Sequence, residues 1–356
     1  MTDVIRVAPE APDPTALARA AECLRRGGLV AFPTETVYGL GVNALDRDAV
    51  RRLFAAKQRP PNDPLIVHVT SIDSMAALAS HVPHSVERLA RRFWPGPLTV
   101  IVPRSYQVPD EVTAGLSTVA VRVPLHPVAR ALIEAAGVPV AAPSANLFSR
   151  PSPTQASHVL DDLDGRIDIV VDGGATTIGV ESTVLDLTSD PPTILRPGAV
   201  TIEMLREVLG RVDVSRAPTS LASTNTAPMP SPGMLEKHYS PRATLTLFEG
   251  NASAALSSLV AIARDELSRG HSVGIIAAEE DRGELAQLSA DAKILLRVIG
   301  HHDTPAVVAA RLYATLRELD AAGVNVILVH GFRDDGLGAA VQDRLRRAAA
   351  GRIVRA

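Results

Sequence analysis

The order of short apolar segments and amphipathic helical segments most constrains the fold, and this alternation occurs twice along the chain. In the first 210 residues, stretches typical of buried strands alternate with helical patterns such as residues 15–26, where Leu17, Ala21 and Leu24 recur at helical spacing. After an interruption the same alternation returns in residues 244–356. The pattern predicts an α/β protein of two domains, each with a sheet covered by helices.

The predicted elements can be placed individually. The strands of the first block are apolar and short: 29–32, 65–69, 98–102, 119–123, 138–142, 167–172 and 182–187, with one more that ends at Arg196. Helical patterns lie between several of them: 15–26, 47–57, 73–80, 84–93, 127–136 and 154–163. In the second block, strands are predicted at 245–248, 272–278, 294–300 and 324–332, and helices at 252–269, 304–321 and 337–349. A mixed or parallel sheet is expected in the first domain and a small doubly wound parallel sheet in the second.

The segment between the two blocks has a different composition. Residues 211–243 contain five prolines and many serines and threonines, and they show no sustained period. This segment is too long for an ordinary connection inside a compact domain, so it is either a tether or a functional loop. The predicted organisation is a domain at 1–210, a linker at 211–243 and a second domain at 244–356.

Composition excludes several classes of protein. The 36 Lys and Arg residues against 39 Asp and Glu give a net charge of −3, which excludes a polycation of the histone type but not a local basic pocket. No apolar run reaches about 18 residues, and the N-terminal segment lacks a signal-peptide pattern. The single cysteine, Cys23, excludes an intramolecular disulfide and a cysteine-cluster metal site. A cytoplasmic protein without a membrane segment is expected.

The segment PTETVYGLG at 33–41 is a polar, turn-prone stretch after an apolar strand. Its Gly39-x-Gly41 pattern resembles a dinucleotide fingerprint, which would indicate an oxidoreductase that uses NAD(P). Six residues including Pro33 separate the strand from the first glycine, where that fingerprint requires a tight turn into a helix. The sequence therefore disfavours the oxidoreductase, and a polar turn is the simpler interpretation.

Four further segments carry candidate site residues. Lys57 and Arg59 end a predicted helix, where they either bind a polyanion or offset the helix dipole. His68 and Arg122 lie inside apolar strands, so His68 is either a core residue or a ligand, and Arg122 needs an internal carboxylate or a substrate carboxylate. The small polar residues of APSANLFSRPSPT, at 142–154, follow a strand and fit either a ligand loop or a capped turn.

Several motifs with known chemistry are absent from the sequence. It has no G-x-x-x-x-G-K-S/T phosphate loop, no H-E-x-x-H zinc motif and no G-x-S-x-G nucleophile elbow. The pair His301–His302 is interpreted as a surface or loop pair, because no other ligand accompanies it at useful spacing. No metal ligation by protein side chains is predicted.

The amino-acid sequences of these segments and their order along the chain, taken together, are more specific than any single segment. PTETVYGLG, KQRPPNDPLIVHV, WPGPLTVIV, VAVRVP, APSANLFSRPSPT, GVESTVLDL and ILRPGAV resemble the YrdC-type threonylcarbamoyl-AMP synthase family over about residues 14–205. SPGMLEKHYSPR at 231–242 and GLGAAVQDRLRRAA at 336–349 are similar to the two-domain form of that family. The resemblance implies a twisted mixed sheet around a concave site, followed by a Rossmann-like second domain.

The resemblance also implies a reaction and its partners. Such a nucleotidyltransferase uses ATP, L-threonine and bicarbonate to make threonylcarbamoyl-AMP and pyrophosphate, with Mg²⁺ accompanying ATP. A separate transferase complex then moves the threonylcarbamoyl group to the adenosine beside the anticodon of tRNA. A monomer is expected, and the sequence does not state what the second domain does.

Site residues follow from the resemblance position by position. The residues implied for threonine are Thr36, His68, Arg122, Ser144 and Ser182. Those implied for ATP are Lys57, Arg59, Asp63, Thr118, Ala142, Asn146, Ser152, Arg196 and Tyr239. Lys57, Arg59 and His68 are the catalytic candidates. Tyr239 is expected to close over the nucleotide as part of a lid, with Lys237 and His238 as neighbouring candidates.

An RNA-binding module without catalysis is the alternative from another class. It would show salt-dependent affinity for tRNA and no release of pyrophosphate. Aromatic residues make up only 3% of the chain and the net charge is negative, so stacking platforms are scarce and this role is disfavoured.

Overall fold

The structure is a computed structural model that describes residues 1–215, 228–231 and 238–356. The chain divides into two compact units. The first comprises Met1–Phe148 and Ser152–Met234, and the second comprises Ser149–Pro151 and Leu235–Ala356. Among the described residues, no helix combines the length and hydropathy needed to cross a membrane.

The first unit is built on one large mixed sheet. Its strands are β1 (Asp3–Arg6), β2 (Val30–Phe32), β3 (Gly39–Asn43), β4 (Ile66–His68), β5 (Leu98–Pro103), β6 (Thr118–Arg122), β7 (Val140–Ala141), β8 (Ile169–Asp172), β9 (Thr183–Asp186), β10 (Thr193–Arg196) and β11 (Asp213–Val214). They lie in the order β1-β8-β2-β3-β7-β4-β6-β5-β9-β10-β11. Parallel pairs such as β4 with β6 adjoin antiparallel pairs such as β5 with β6, so the prediction of a mixed sheet is confirmed.

Helices connect these strands and bury their apolar sides against the sheet. They are α1 (Pro14–Arg25), α2 (Arg47–Lys57), α3 (His84–Phe93), α4 (Asp110–Thr113), α5 (Pro127–Ala136), α6 (Ala156–Leu163) and α7 (Ile202–Leu209), with a 3-10 helix at Asp73–Ala77. In α2 the carboxylate of Asp46 accepts hydrogen bonds from the N–H groups of Asp48 and Ala49, and Gln58 ends the helix in the left-handed region. This cap fixes where the helix stops, and Lys57 is its last residue.

The sequence missed three strands of the first unit. β1 has only two apolar residues, Val4 and Ile5, between Asp3 and Arg6, and β11 lies inside the predicted linker, where it pairs in parallel with β10. β3 was expected to be part of a turn, but Gly39–Asn43 pairs antiparallel with β2. A Cβ at Gly41 would lie 2.7 Å from both Phe32 and Val140, so glycine permits this close packing. Because Gly39 and Gly41 lie in a strand, they cannot form a strand–turn–helix fingerprint, and the oxidoreductase alternative is wrong.

The second unit has a five-stranded, all-parallel sheet. Its elements are β12 (Thr244–Glu249), α8 (Ala252–Ser268), β13 (Val273–Ala277), α9 (Arg282–Leu285), β14 (Ile294–Val298), α10 (Pro305–Ala321), β15 (Val326–His330), α11 (Gly336–Ala349) and β16 (Ile353–Arg355), with 3-10 helices at Glu279–Asp281 and Leu288–Ala290. The strand order is β14-β13-β15-β12-β16. This confirms the predicted doubly wound domain and adds the final strand, which the sequence analysis did not predict.

Candidate active site

Three neighbouring strands place polar side chains in one row on the first sheet. His68 in β4 is opposite Arg122 in β6, and Arg122 is opposite Thr99 in β5. Residues directly opposite each other on neighbouring strands lie on the same face of a sheet. All three are buried, so this face carries a polar row inside an apolar sheet.

Arg122 is held by groups of the turn after β2. Its Nη2 donates to Oε1 of Glu35 at 2.6 Å, its Nη1 donates to Oγ1 of Thr36 at 3.0 Å, and its Nε donates to the carbonyl of Gly96 at 3.2 Å. Glu35 is the internal carboxylate that the sequence left open as a partner for Arg122. Three of the five guanidinium N–H groups are used among the described residues, so two remain for a ligand.

His68 is neutral in the folded chain. Burial, assisted by the positive charge of Arg122, lowers its pKa from 6.5 to about 3. Its Nδ1 is buried and has no hydrogen-bond partner among the described residues. A neutral imidazole with an open nitrogen can orient a polar ligand, whereas a group with this pKa is a weak general base at neutral pH.

The turn at residues 34–38 organises several loops. Ala145 donates its N–H to the carbonyl of Tyr38 at 2.8 Å, and Gly39 forms a β-bridge with Ser144. The N–H of Tyr38 donates to the carbonyl of Pro153 at 2.9 Å, and the N–H of Gly179 donates to the carbonyl of Thr36 at 3.0 Å. The polar segments that are far apart in sequence therefore meet at this turn.

Lys57 fixes the loop that follows β7. Its ammonium is buried and donates to the carbonyls of Ser144 and Asn146. Simple compensation of the α2 dipole is therefore not its structural role, because its partners belong to another segment. The contact joins two of the predicted ATP residues, Lys57 and Asn146. Ala142, at the start of the same loop, is buried and donates its N–H to the carbonyl of Ile66 at 2.9 Å.

Arg59 and Asp63 form a buried ion pair. Nη2 of Arg59 lies 2.9 Å from Oδ2 of Asp63 and 2.9 Å from the carbonyl of Pro64. Beyond this loop is a shallow pocket whose lining includes Pro64, Thr118 and Pro230. The neighbouring Met229 donates its N–H to the carbonyl of Asn62 at 2.8 Å, so residues 228–231 of the linker pack on this part of the first unit.

Ser182 joins the polar row to β10. Its hydroxyl lies 2.8 Å from Oγ1 of Thr99, and Arg196 donates to both the hydroxyl and the carbonyl of Ser182. A Cβ at Gly198 would lie 2.3 Å from the N–H nitrogen of Thr183, so only glycine allows this approach. The close contact positions Arg196 over the start of β9.

Ser152 donates to a carboxylate oxygen of Glu181, and both residues are buried. Glu181, Glu35 and Thr99 are the residues of this site that sequence reasoning did not assign. Glu35 and Glu181 occur inside the quoted motifs, which was an available signal, since buried cations and hydroxyls need acceptors. Thr99 had no such signal, because it is a threonine inside an apolar strand.

Tyr239 belongs to the second unit. Its ring is buried, lies 5.5 Å from the ring of Tyr313 and has the guanidinium carbon of Arg344 at 5.5 Å. The backbone of Tyr239 is left-handed, with φ of 60°. Lys237 and residues 232–237 of the predicted lid lie outside the described residues, so the lid stays a prediction.

His301 and His302 lie in the loop after β14, as the sequence analysis expected, but the fold brings further possible ligands beside them. The fold brings Asp281 and His330 beside His302, and one ligand atom from each of the three lies within 4.8 Å of the others. His301 lies in a separate exposed group with Glu280 and Asp303. Spacing along the sequence did not reveal these groups, because the first has members from three strands or the loops after them and the second has members from two such loops.

Comparison with known proteins identifies the family. The family model described as "Telomere recombination", of Sua5, YciO and YrdC, matches residues 22–198, and the model for the C-terminal domain of threonylcarbamoyl-AMP synthase matches residues 200–350. The threonylcarbamoyl-AMP synthase of Pyrococcus abyssi is 45% identical over 94% of both chains. The chain belongs to the Sua5/YrdC threonylcarbamoyl-AMP synthase family.

Two further relatives of the family inform the site. A crystal structure of P. abyssi Sua5 complexed with L-threonine matches with a TM-score of 0.90 and 43% identity, covering all of both chains. A threonylcarbamoyl-AMP synthase from Marinobacter nauticus is 37% identical over 172 residues, which are 48% of this chain and 90% of that protein. Family proteins of about half this length therefore carry the same name.

Most of the predicted site residues are linked by hydrogen bonds or strand pairing to the turn at 34–38 or to the polar row of His68, Arg122 and Thr99. This group comprises Thr36, Lys57, His68, Arg122, Ala142, Ser144, Asn146, Ser152, Ser182 and Arg196. Arg59, Asp63 and Thr118 lie around the neighbouring pocket. Tyr239 lies in the other unit.

Proposed function

We propose that this chain synthesises threonylcarbamoyl-AMP and pyrophosphate from L-threonine, bicarbonate and ATP, as a nucleotidyltransferase. The observation that carries the proposal is the buried Arg122, which has two open N–H groups and lies beside the neutral His68 and the hydroxyl of Thr36. The relative whose crystal structure contains L-threonine supports the same substrate here.

The threonine carboxylate would bind Arg122, because a guanidinium can form two parallel hydrogen bonds with a carboxylate. Glu35 and Thr36 hold the guanidinium in one orientation before the substrate arrives. The hydroxyls of Ser144 and Ser182 and the open Nδ1 of His68 are the groups proposed to recognise the amine and the hydroxyl of threonine.

The proposed ATP site extends from Lys57 to the pocket beside Thr118. The adenine would lie against the apolar pocket, whose lining includes Pro64 and Pro230. Arg59 and Arg196 would meet the phosphates, each already oriented by an internal acceptor. Asp63, Ala142, Asn146 and Ser152 are proposed to shape the loops around the nucleotide.

The chemistry proposed for this site relies on positioning and charge. Threonine and bicarbonate condense to a carbamate with loss of water, and a carbamate oxygen then attacks the α-phosphorus of ATP, so that pyrophosphate leaves. Fixed cations and hydroxyls stabilise the charge that develops on the phosphate oxygens. Because the pKa of His68 is about 3, we assign it to substrate orientation rather than to proton removal.

Mg²⁺ would enter with ATP. The carboxylates of Glu35 and Asp63 already pair with arginines, so the side chains fit an ion held by phosphate oxygens and water rather than a site built by the protein. When bound, the ion would neutralise part of the charge on the leaving pyrophosphate.

The wider role is proposed on the same basis. The product would pass to a separate transferase complex that modifies the adenosine beside the anticodon of tRNA, and this chain would act as a cytoplasmic monomer. The Marinobacter nauticus relative, which matches about half of this chain, supports assigning the synthase chemistry to one of the two units.

The lid remains part of the proposal. Carbamates and acyl phosphates hydrolyse in water, so a closing segment would protect both intermediates. Replacing Tyr239 with alanine, or deleting residues 231–242, should lower the yield of adenylate more than it weakens threonine binding. Tyr239→Phe is the matched control because it keeps the ring. Equal adenylate yield from the alanine variant would refute the lid.

The decisive experiment measures pyrophosphate released from ATP. Release should require both L-threonine and bicarbonate, and Arg122→Ala should abolish the threonine-dependent part. Release without bicarbonate dependence would refute the proposed synthase. Salt-dependent tRNA affinity in the absence of any release would favour the RNA-binding alternative.

A further inference from the structure

The second unit contains a cluster of metal-ligating side chains at the carboxyl edge of its sheet. Asp281 follows β13, His302 follows β14, and His330 is the last residue of β15. These three strands are neighbours in the order β14-β13-β15. One ligand atom from each side chain lies within 4.8 Å of the other two.

The topology makes this edge a place where ligands bind. The connection after β13 leads to β14 on one side, whereas the connection after β15 leads past β12 to β16 on the other. Neighbouring strands whose connections run in opposite directions leave a crevice at their carboxyl ends, and open α/β sheets bind ligands there. Asp281 and His330 come from the two strands that border this crevice.

The bonds within the cluster leave ligand atoms open. Nδ1 of His330 lies 2.8 Å from Oδ2 of Asp281, which also accepts from the N–H of Ala278 at 3.0 Å. Among the described residues, Oδ1 of Asp281, Nε2 of His330 and both ring nitrogens of His302 have no hydrogen-bond partner. An ordinary buried His–Asp pair would explain the contact between His330 and Asp281. It would not explain why His302, with two ring nitrogens open, lies beside them.

The charges around the cluster favour a cation. Asp281 is 5% exposed, and in the described part of the chain its carboxylate pairs with no lysine or arginine. The exposed group of Glu280, His301 and Asp303 lies next to it in sequence and contains two further carboxylates. His302 is partly exposed and packs on Phe332, with 5.5 Å between ring centroids, so an ion can reach the cluster from solvent.

We propose that Asp281, His302 and His330 form a binding site for a divalent transition-metal ion of the Zn²⁺ class. Two imidazoles and one carboxylate are typical ligands of zinc, whereas Mg²⁺ and Ca²⁺ prefer oxygen ligands alone. Zinc bonds of about 2.0–2.2 Å separate tetrahedral ligand atoms by roughly 3.4 Å, so small side-chain rotations close the cluster around an ion. Water occupies the fourth position, and the ion joins the ends of three strands.

The first test is direct metal binding to the full chain, prepared without a histidine tag and freed of metal with a chelator. Calorimetry with Zn²⁺ should give one site with a Kd in the micromolar range or tighter, and Co²⁺ should give the visible absorption bands of a tetrahedral complex. Failure to bind Zn²⁺ at about 100 µM would overturn the proposal.

Two histidine variants locate the ion. His302→Gln removes a partly exposed ligand, and His301→Gln is the matched control from the adjacent exposed group. His302→Gln should weaken Zn²⁺ binding by about 100-fold or more and abolish the Co²⁺ bands, while His301→Gln keeps both. Equal weakening by both variants, or full binding by His302→Gln, would overturn the assignment. Circular dichroism of the metal-free variants checks that both are folded.

Discussion

Two buried arginines show how differently the two units use the same side chain. Arg122 in the first unit and Arg344 in the second are 3% and 1% exposed, and each contacts a carboxylate. Arg122 also bonds to a hydroxyl and a carbonyl, and it has two N–H groups that the described residues leave open. Arg344 lies over the ring of Tyr239. Arg122 is therefore a candidate for binding a substrate anion, whereas the described contacts of Arg344 are to a carboxylate and to the ring of Tyr239 in its own unit.

Removal of Arg122 should have the largest effect. Arg122→Ala should weaken threonine binding by about 2–4 kcal/mol, because the carboxylate loses its charged partner. It should also lower the free energy of unfolding by about 3–5 kcal/mol, because Glu35 is left buried and unpaired. Calorimetry and urea unfolding measure the two effects.

The double variant Arg122→Ala with Glu35→Gln separates these effects. It removes the unpaired carboxylate, so stability should largely return while threonine affinity stays low. Unchanged threonine binding by Arg122→Ala would contradict the assignment of this residue to the substrate.

Removal of Arg344 should have the opposite profile. Arg344→Leu should lower the free energy of unfolding by about 2–3 kcal/mol. This loss is smaller than the loss expected for Arg122→Ala, because Asp343 keeps Arg347 as a partner. Threonine affinity should not change. Urea unfolding and calorimetry check this pair of results, and a loss of threonine affinity equal to that of Arg122→Ala would remove the distinction between the two arginines.

The buried histidines of the units also differ, because His68 lies beside a cation and His330 beside a carboxylate. In the unfolded chain His68 becomes protonated below its ordinary pKa of 6.5, whereas in the folded chain it stays neutral until the pH falls to its lowered pKa of about 3. The contribution of His68 to stability is therefore complete above pH 6.5 and falls by about 1.4 kcal/mol per pH unit as the pH is lowered toward 3.

Urea unfolding at pH 7 and pH 5 tests this dependence. His68→Asn should show a shallower loss of stability with acid than the unaltered chain, since both keep every other titrating group. Identical slopes would contradict the lowered pKa.

The smallest predicted effect concerns the pocket beside Thr118. Thr118→Val keeps the shape of the side chain and removes its hydroxyl, which should cost about 1 kcal/mol in ATP binding, or roughly a fivefold rise in the KM for ATP. The KM for threonine should stay the same. A change in the KM for threonine with no change in the KM for ATP would contradict the assignment of Thr118 to the ATP site. The matched substitution in the second unit, Thr315→Val, should change neither constant.

The sequence determined most of the secondary structure. Helices α2, α3 and α5 have the predicted bounds, because their apolar spacing and, in α2 and α5, their N-terminal caps are local properties of the chain. β3 could not be predicted this way, since Gly39–Asn43 forms a strand only because β2 and β7 pair with it on either side. The same holds for β11, whose two residues have no strand pattern of their own.

The residue types of the candidate site could also be predicted, but not their partners. The sequence motifs contained Lys57, Arg122 and Ser182, and a buried cation in a strand already required an acceptor. Only the tertiary structure decided that Glu35 is the acceptor for Arg122, and that Lys57 holds the loop after β7. It also decided that His302 meets Asp281 and His330. Periodicity and capping act over a few residues, whereas these contacts join segments up to 89 residues apart, which only the pairing order of the strands brings together.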